Sequence, residues 1–129
     1  MNKKRSVVAV VDDDPRLLES LEDLLESAGY RARCFSSAQA VLDAGLSDVD
    51  ALITDIGLPY IDGFELRNQA RSVRPDLPVF LITGRHEIAD QSRAQGISGF
   101  FRKPFDGQLL LAAVTDALHN AERGRDHDS

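Results

Sequence analysis

Three consecutive carboxylates, Asp12, Asp13 and Asp14, follow directly on the apolar run Val7 to Val11, and a second apolar run, Ala51 to Thr54, ends on Asp55. Strands of a parallel sheet point the same way, so acids at the ends of two neighbouring strands meet at the carboxyl edge, where open α/β sheets bind ligands. Two further strand-like runs end in complementary chemistry: Val79 to Ile82 leads to the hydroxyl of Thr83, and Gly99 to Arg102 leads to the ammonium of Lys103. Two like charges about 5 Å apart repel by roughly 3 kcal/mol at an effective dielectric near 20, so such an acidic pocket calls for a counter-charge or a held proton. A divalent cation meets that need. All-oxygen ligation with positions left open for water and phosphate oxygens suits magnesium rather than zinc, which prefers nitrogen and sulfur.

These side chains must be positioned by regular elements, and the hydrophobic pattern supplies them. Val7 to Val11 is an unbroken apolar run, as expected for a strand covered on both faces. Asp14 is a plausible helix N-cap with Pro15 in the first turn. Leu17, Leu21, Leu24 and Ala28 then recur at helical spacing, widened by Leu18 and Leu25, until Gly29. A short strand spans Arg31 to Phe35, and Ser36 or Ser37 caps a helix bearing Ala40, Val41 and Ala44 that Gly45 closes. After the strand Ala51 to Thr54, the turn-rich stretch Gly57 to Gly63 leads to a helix capped by Asp62 and bearing Phe64, Ala70 and Val73, broken by Pro75 and Pro78. A strand reaches Thr83, a short fourth helix is expected over Glu87 to Gln95, and a strand follows at Gly99 to Arg102. A last helix is expected from about Gln108 to Arg123, with Leu111, Val114 and Leu118 on one face and Leu110 and Ala117 nearby. Five strands alternating with five helices imply an α/β fold: a parallel sheet with right-handed crossovers and helices on both faces. Residues 1–123 read as one domain and 124–129 as a disordered polar tail or the start of a linker.

Composition narrows the function. At 129 residues the chain holds one domain of ordinary size, with no room for a second folded module. The formal charge of −6 argues against direct nucleic-acid binding and against an anionic membrane surface. Lys3, Lys4 and Arg5 read as a solvated end. No stretch reaches the length of a membrane span and no signal-peptide core is present, so a cytoplasmic location is expected. The single cysteine, Cys34, has no internal disulfide partner and reads as a small buried side chain. His86, His119 and His127 have no ligand at metal spacing.

The set Asp12-Asp13, Asp55, Thr83 and Lys103-Pro104, each after its own strand, resembles a bacterial response regulator receiver domain over essentially Val7 to His119. The wording Leu58-Pro59, Asp62-Gly63-Phe64-Glu65-Leu66, Ile82-Thr83-Gly84 and Lys103-Pro104-Phe105 is similar to receivers of the nitrogen-fixation and nitrate-response transcription factors. The resemblance implies a doubly wound, flavodoxin-like sheet in the order 2-1-3-4-5. It implies phosphorylation on Asp55 from a sensor histidine kinase or histidine phosphotransfer protein, in a module that catalyses its own transfer and hydrolysis and is not a metabolic enzyme. Mg²⁺ is the implied cofactor: Asp13 is a direct ligand, Asp12 acts largely through water, and Asp55 and the backbone carbonyl of Gly57 complete the set. Thr83 and Lys103 would contact phosphoryl oxygens, and the Lys103-Pro104 bond is expected to be cis. Thr83 and Phe100 would form the switch, Phe100 standing where a tyrosine is commoner. A homodimer through the face from the fourth helix to the last helix is the implied assembly.

Three points stay open on the sequence. Thr83 to Gly96 is a couple of residues shorter than in relatives, which is either a harmless loop change or a displaced fourth helix that alters dimerisation or partner choice. Gly57 and Arg85 lie close enough to Asp55 and Thr83 to govern water access, and the bare Gly57 predicts a short-lived phosphoryl group. The rivals are a magnesium-dependent phosphohydrolase of the haloacid dehalogenase type, reading Asp12-x-Asp14 as its acidic pair, and a receiver used only as a non-phosphorylated scaffold. Pro15-Arg16 does not continue the hydrolase pattern.

Overall fold

The computed structural model describes residues 5–84 and 99–127, with side chains to residue 120. In chain order the elements are β1 (Val7–Val11), α1 (Pro15–Ser27), β2 (Arg31–Phe35), α2 (Ala38–Ala44), β3 (Ala51–Asp55), α3 (Gly63–Val73), β4 (Val79–Thr83), β5 (Gly99–Arg102) and α4 (Gly107–His127). All strand pairs are parallel and the sheet order is β2-β1-β3-β4-β5, as the resemblance implied. The fourth helix expected over Glu87 to Gln95 lies outside the described residues, as do Arg85 and His86.

Alternation along each buried strand splits the core into two layers. Ala9, Val11, Leu52 and Leu81 face α2 and α3, where Val41, Phe64, Leu66 and Ala70 meet them. Val8, Val10, Ile53, Phe80 and Ile82 face α1 and α4, against Leu21, Leu25, Leu110, Val114 and Leu118. Each fully buried aliphatic side chain contributes about 1.5–3 kcal/mol relative to exposure, so the central strands are the firmest part of the molecule. Their uninterrupted apolar sequences follow from coverage on both faces.

Caps set the element ends. Asp14 accepts from the Arg16 N–H at 3.0 Å, Ser37 from the Ala40 N–H at 3.1 Å and Asp62 from the Glu65 N–H at 2.9 Å. Gly29 and Gly45 take φ of 93° and 90°, a region that costs residues with a Cβ, and so end α1 and α2.

Several helix details differ from the sequence reading. In α1 the buried pair is Leu21 and Leu25, with Leu17 and Leu24 half-buried and Ala28 an exposed C-cap, because the crossing onto the sheet favours the i, i+4 row. In α3, Val73 lies in the last turn and is 70% exposed, while Leu66 and Arg67 take the buried positions. In α4, Leu110, Val114 and Leu118 form the buried row and Leu111 is half-buried. The backbone of α4 also runs to His127, past the expected end at Arg123, so residues 124–127 are helical rather than disordered. One internal glycine costs about 1 kcal/mol relative to alanine, too little to stop a helix that has already propagated several turns. Cys34 is half-buried rather than fully buried. Burial, with Glu22 and Glu26 nearby, pushes its thiol up to about 11, which keeps it protonated and unreactive.

Leu25→Ala, which empties the α1 contact with the sheet, is expected to destabilise the protein by about 2–5 kcal/mol with an unchanged denaturant slope in urea unfolding.

Candidate functional site

The four strand ends named by the sequence converge at one edge of the sheet. Asp55 is the last residue of β3 and pairs in register with Ile82, one residue before Thr83 ends β4. Asp12 and Asp13 follow β1, the other neighbour of β3. Lys103 follows β5, and its backbone N–H donates to the Thr83 carbonyl at 2.7 Å, tying the fourth and fifth strand ends together. The Lys103-Pro104 peptide is cis.

Carboxylate oxygens of Asp12, Asp13 and Asp55 lie within 4.8 Å of one another. Asp12 is wholly buried, Asp55 is 7% exposed and Asp13 is open to solvent. Asp12 is held at both oxygens: Oδ1 accepts the Asp14 N–H at 2.8 Å, and Oδ2 accepts from Lys103 Nζ at 3.0 Å. Lys103 Nζ also stands 3.8 Å from Asp55 Oδ1. The ammonium therefore sits between two of the three acids; the sequence reading placed it on their rim as complementary charge but named only phosphoryl oxygens as its contacts.

Electrostatics follow from this crowding. Burial, first, and then the charge of Asp12 hold the Asp55 carboxyl above the usual carboxylate range. Lys103 and the Gly57 N–H pull the other way without cancelling the rise, and Asp13 adds to it. Burial alone would lower the ammonium of Lys103. Its hydrogen bond to Asp12 and the charges of Asp55, Asp12 and Asp13 outweigh that and leave it above its ordinary value. The lysine is charged at any physiological pH. Three oxygen donors with excess negative charge, one face open, fit a hard divalent cation, and the triad is of the kind that forms a receiver metal site.

An open pocket of about 380 Å³ lies over these groups, lined by Asp13, Asp55, Gly57, Thr83 and Lys103. Ile56 and Gly84 also line it and were not singled out from sequence. Gly84 follows Thr83 directly, and a Cβ there would stand 3.6 Å from Lys103 Cδ, in ordinary contact with the lysine stem. Thr83 is 4% exposed. Asp14 is spent as the α1 cap, which removes the second acid of the phosphohydrolase reading. Phe100 lies opposite Leu81 in β5, half-buried against the α2–α3 core layer.

The chain belongs to the response regulator receiver domain family, whose model matches residues 8–115. It is 37% identical over 126 residues to the transcriptional regulatory protein FixJ of Azorhizobium caulinodans, covering 95% of this chain and 60% of that protein. It is 35% identical over 130 residues to the response regulator protein TmoT of Ectopseudomonas mendocina, covering 98% of this chain and 59% of that protein. The chain thus spans somewhat over half the length of these relatives. The structure of the response regulator StyR superposes with a TM-score of 0.85 at 33% identity, covering 97% of this chain and 65% of that one. The protein is therefore a two-component receiver with an acidic pocket suited to aspartyl phosphorylation, and its family implies a histidine kinase partner. No helix among the described residues is long and apolar enough to cross a membrane.

Two outcomes follow from the charge balance. Lys103→Met removes the cation competing for Asp12 and should tighten divalent-cation binding several-fold in calorimetric titration; unchanged or weaker binding would show that the lysine does not compete. Because the folded-state Asp55 carboxyl is raised, its charge penalises the folded state above that raised value. The penalty fades as pH falls through it toward the unfolded value of about 3.9. Asp55→Asn should therefore raise the melting temperature of the metal-free protein at pH 7, and the gain should shrink toward pH 4.

Proposed function

We propose that Asp55 is the phosphoacceptor of this receiver, taking a phosphoryl group from a phosphohistidine of a sensor kinase or phosphotransfer protein. A carboxylate oxygen of Asp55 attacks phosphorus in line. The new O–P bond forms as the N–P bond breaks, and the departing imidazole nitrogen keeps the electron pair and gains a proton. The observation that carries this reading is the placement of Lys103 Nζ, 3.0 Å from Asp12 and 3.8 Å from Asp55. From there a short swing brings the ammonium onto phosphoryl oxygens, where preorganised positive charge acts on developing negative charge. Thr83 supplies a hydroxyl on the same rim.

Asp12, Asp13, Asp55 and the carbonyl of Gly57 would hold Mg²⁺, which neutralises phosphoryl charge when bound. The negative charge brought by phosphorylation, about −1.5 to −2, draws Thr83 inward and vacates space that Phe100 fills. The surface around β5 and α4 shifts between two existing states as a result. Phe100 has no hydroxyl, so its inward position rests on burial alone. Homodimerisation through the face that includes β5 and α4 is the assembly this switch would control. A transcriptional output module beyond this chain is its target class, in keeping with the regulators to which it is similar. Cytoplasmic location follows from a kinase-coupled role.

Labelling with a small phosphodonor and Mg²⁺ tests the assignment: Asp55→Asn should abolish it, whereas label persisting on Asp12 would favour phosphohydrolase chemistry. Amide resonances at Asp55 and Thr83 should move on adding Mg²⁺ and beryllofluoride; silence there would favour a scaffold. A Cβ at Gly57 would stand 3.9 Å from Asp55 Oδ2, in ordinary contact with the carboxylate. Larger side chains at position 57 should therefore lengthen a short phosphoryl lifetime several-fold, and a wild-type lifetime of many hours would contradict the open approach.

A further inference from the structure

We infer that Gly63, the first residue of α3, is a positioning residue that sets the placement of Asp55 by backbone-to-backbone packing. This rests on the reading of Asp55 as phosphoacceptor. The peptide joining Asp55 to Ile56 is held at each polar group. The Asp55 carbonyl accepts from Thr54 Oγ1 at 3.0 Å, and the Ile56 N–H donates to the Ile82 carbonyl at 2.8 Å. The Ile56 carbonyl accepts from both Gly63 N–H and Leu58 N–H at 2.9 Å.

Gly63 closes this cage from the helix side. A Cβ built on it would stand 2.5 Å from the Asp55 carbonyl oxygen, 2.7 Å from Ile56 Cα and 3.0 Å from the Asp55 carbonyl carbon. All three are backbone atoms, so no side chain can rotate away to make room. Separation needs either α3 to lift off β3 or the Asp55–Ile56 peptide to move. The opposite face of that peptide is pinned to β4, and α3 is anchored through buried Phe64, Leu66 and Ala70. Any separation that α3 does not take up falls on the Asp55–Ile56 peptide, and the reacting carboxylate is carried on the first residue of that peptide. A glycine is thus required here for close approach, with no positive φ involved.

The consequence is for chemistry as well as folding. In-line transfer tolerates little displacement of the nucleophile, since an error near 1 Å can cost on the order of a hundredfold in rate. Asp62 supports the same contact by capping the first turn of α3 through the Glu65 N–H at 2.9 Å.

The test compares Gly63→Ala with Val49→Ala, a core truncation in the same layer at the far end of β3. Both are measured well below their melting temperatures. With a saturating small phosphodonor and Mg²⁺, Gly63→Ala should phosphorylate at least tenfold more slowly and shift the amide resonances of residues 55–57. Val49→Ala should lose thermal stability but keep the wild-type rate. Should Gly63→Ala not fold, Asp62→Ala, which removes the N-cap of α3, should slow phosphorylation several-fold. Folded Gly63→Ala, or in its place Asp62→Ala, reacting at the wild-type rate would overturn the inference. Wild-type label that survives Asp55→Asn would instead overturn the phosphoacceptor reading, which keeps the two failures apart.

Discussion

Crowding of three carboxylates around one ammonium is the constraint on which the rest of this structure depends. Asp12, Asp13 and Asp55 bring oxygens within 4.8 Å of one another, and the first and last of them are buried. Unbalanced, such a cluster would protonate or push apart; Lys103 prevents this by bonding Asp12 and standing near Asp55. The compensation is partial, because Asp55 remains above its ordinary carboxylate range. That residual negative charge is the property a site needs in order to take up a cation and then a phosphoryl group.

Placement of the charges is a consequence of the parallel sheet. β1, β3 and β4 are covered on both faces, and Asp12, Asp55 and Thr83 lie, still buried, at or just past their carboxyl ends. Backbone hydrogen bonding from Lys103 to Thr83 then fixes the spacing of the outer pair. Charges at this rim are screened less than at an open surface, so the lysine acts on them strongly, while the pocket stays open for a bulky phosphodonor. The tight packing of Gly63 on the Asp55–Ile56 peptide belongs to the same economy of space.

Much of the fold was legible because its signals are local. The boundaries of β1, β2 and β5, the caps Asp14, Ser37 and Asp62, and the stops at Gly29 and Gly45 all depend on residues within a turn of where they act. Helix faces were less legible. Leu111, Ala28 and Val73 fit a helical period, yet the crossing angle of each helix on the sheet decides which row is buried, and that angle is a property of the assembled layers. The end of α4 was misplaced for a related reason: Gly124 is a local stop signal, overridden by a helix already propagating.

For the site, residue types and strand-end positions determined which groups meet, since one direction for all strands leaves one edge for their carboxyl ends. Asp12, Asp13, Asp55, Thr83 and Lys103 could be named on that ground together with the family resemblance. Tertiary structure alone decided how they divide the work of charge balance. Lys103 is separated from Asp12 by most of the chain, and its hydrogen bond to that acid depends on distances set by sheet order and register. The demand at Gly63 is of the same kind. Its neighbours in sequence give no hint of contact with the Asp55 carbonyl, because the approach of α3 to β3 exists only once both have packed on the same core.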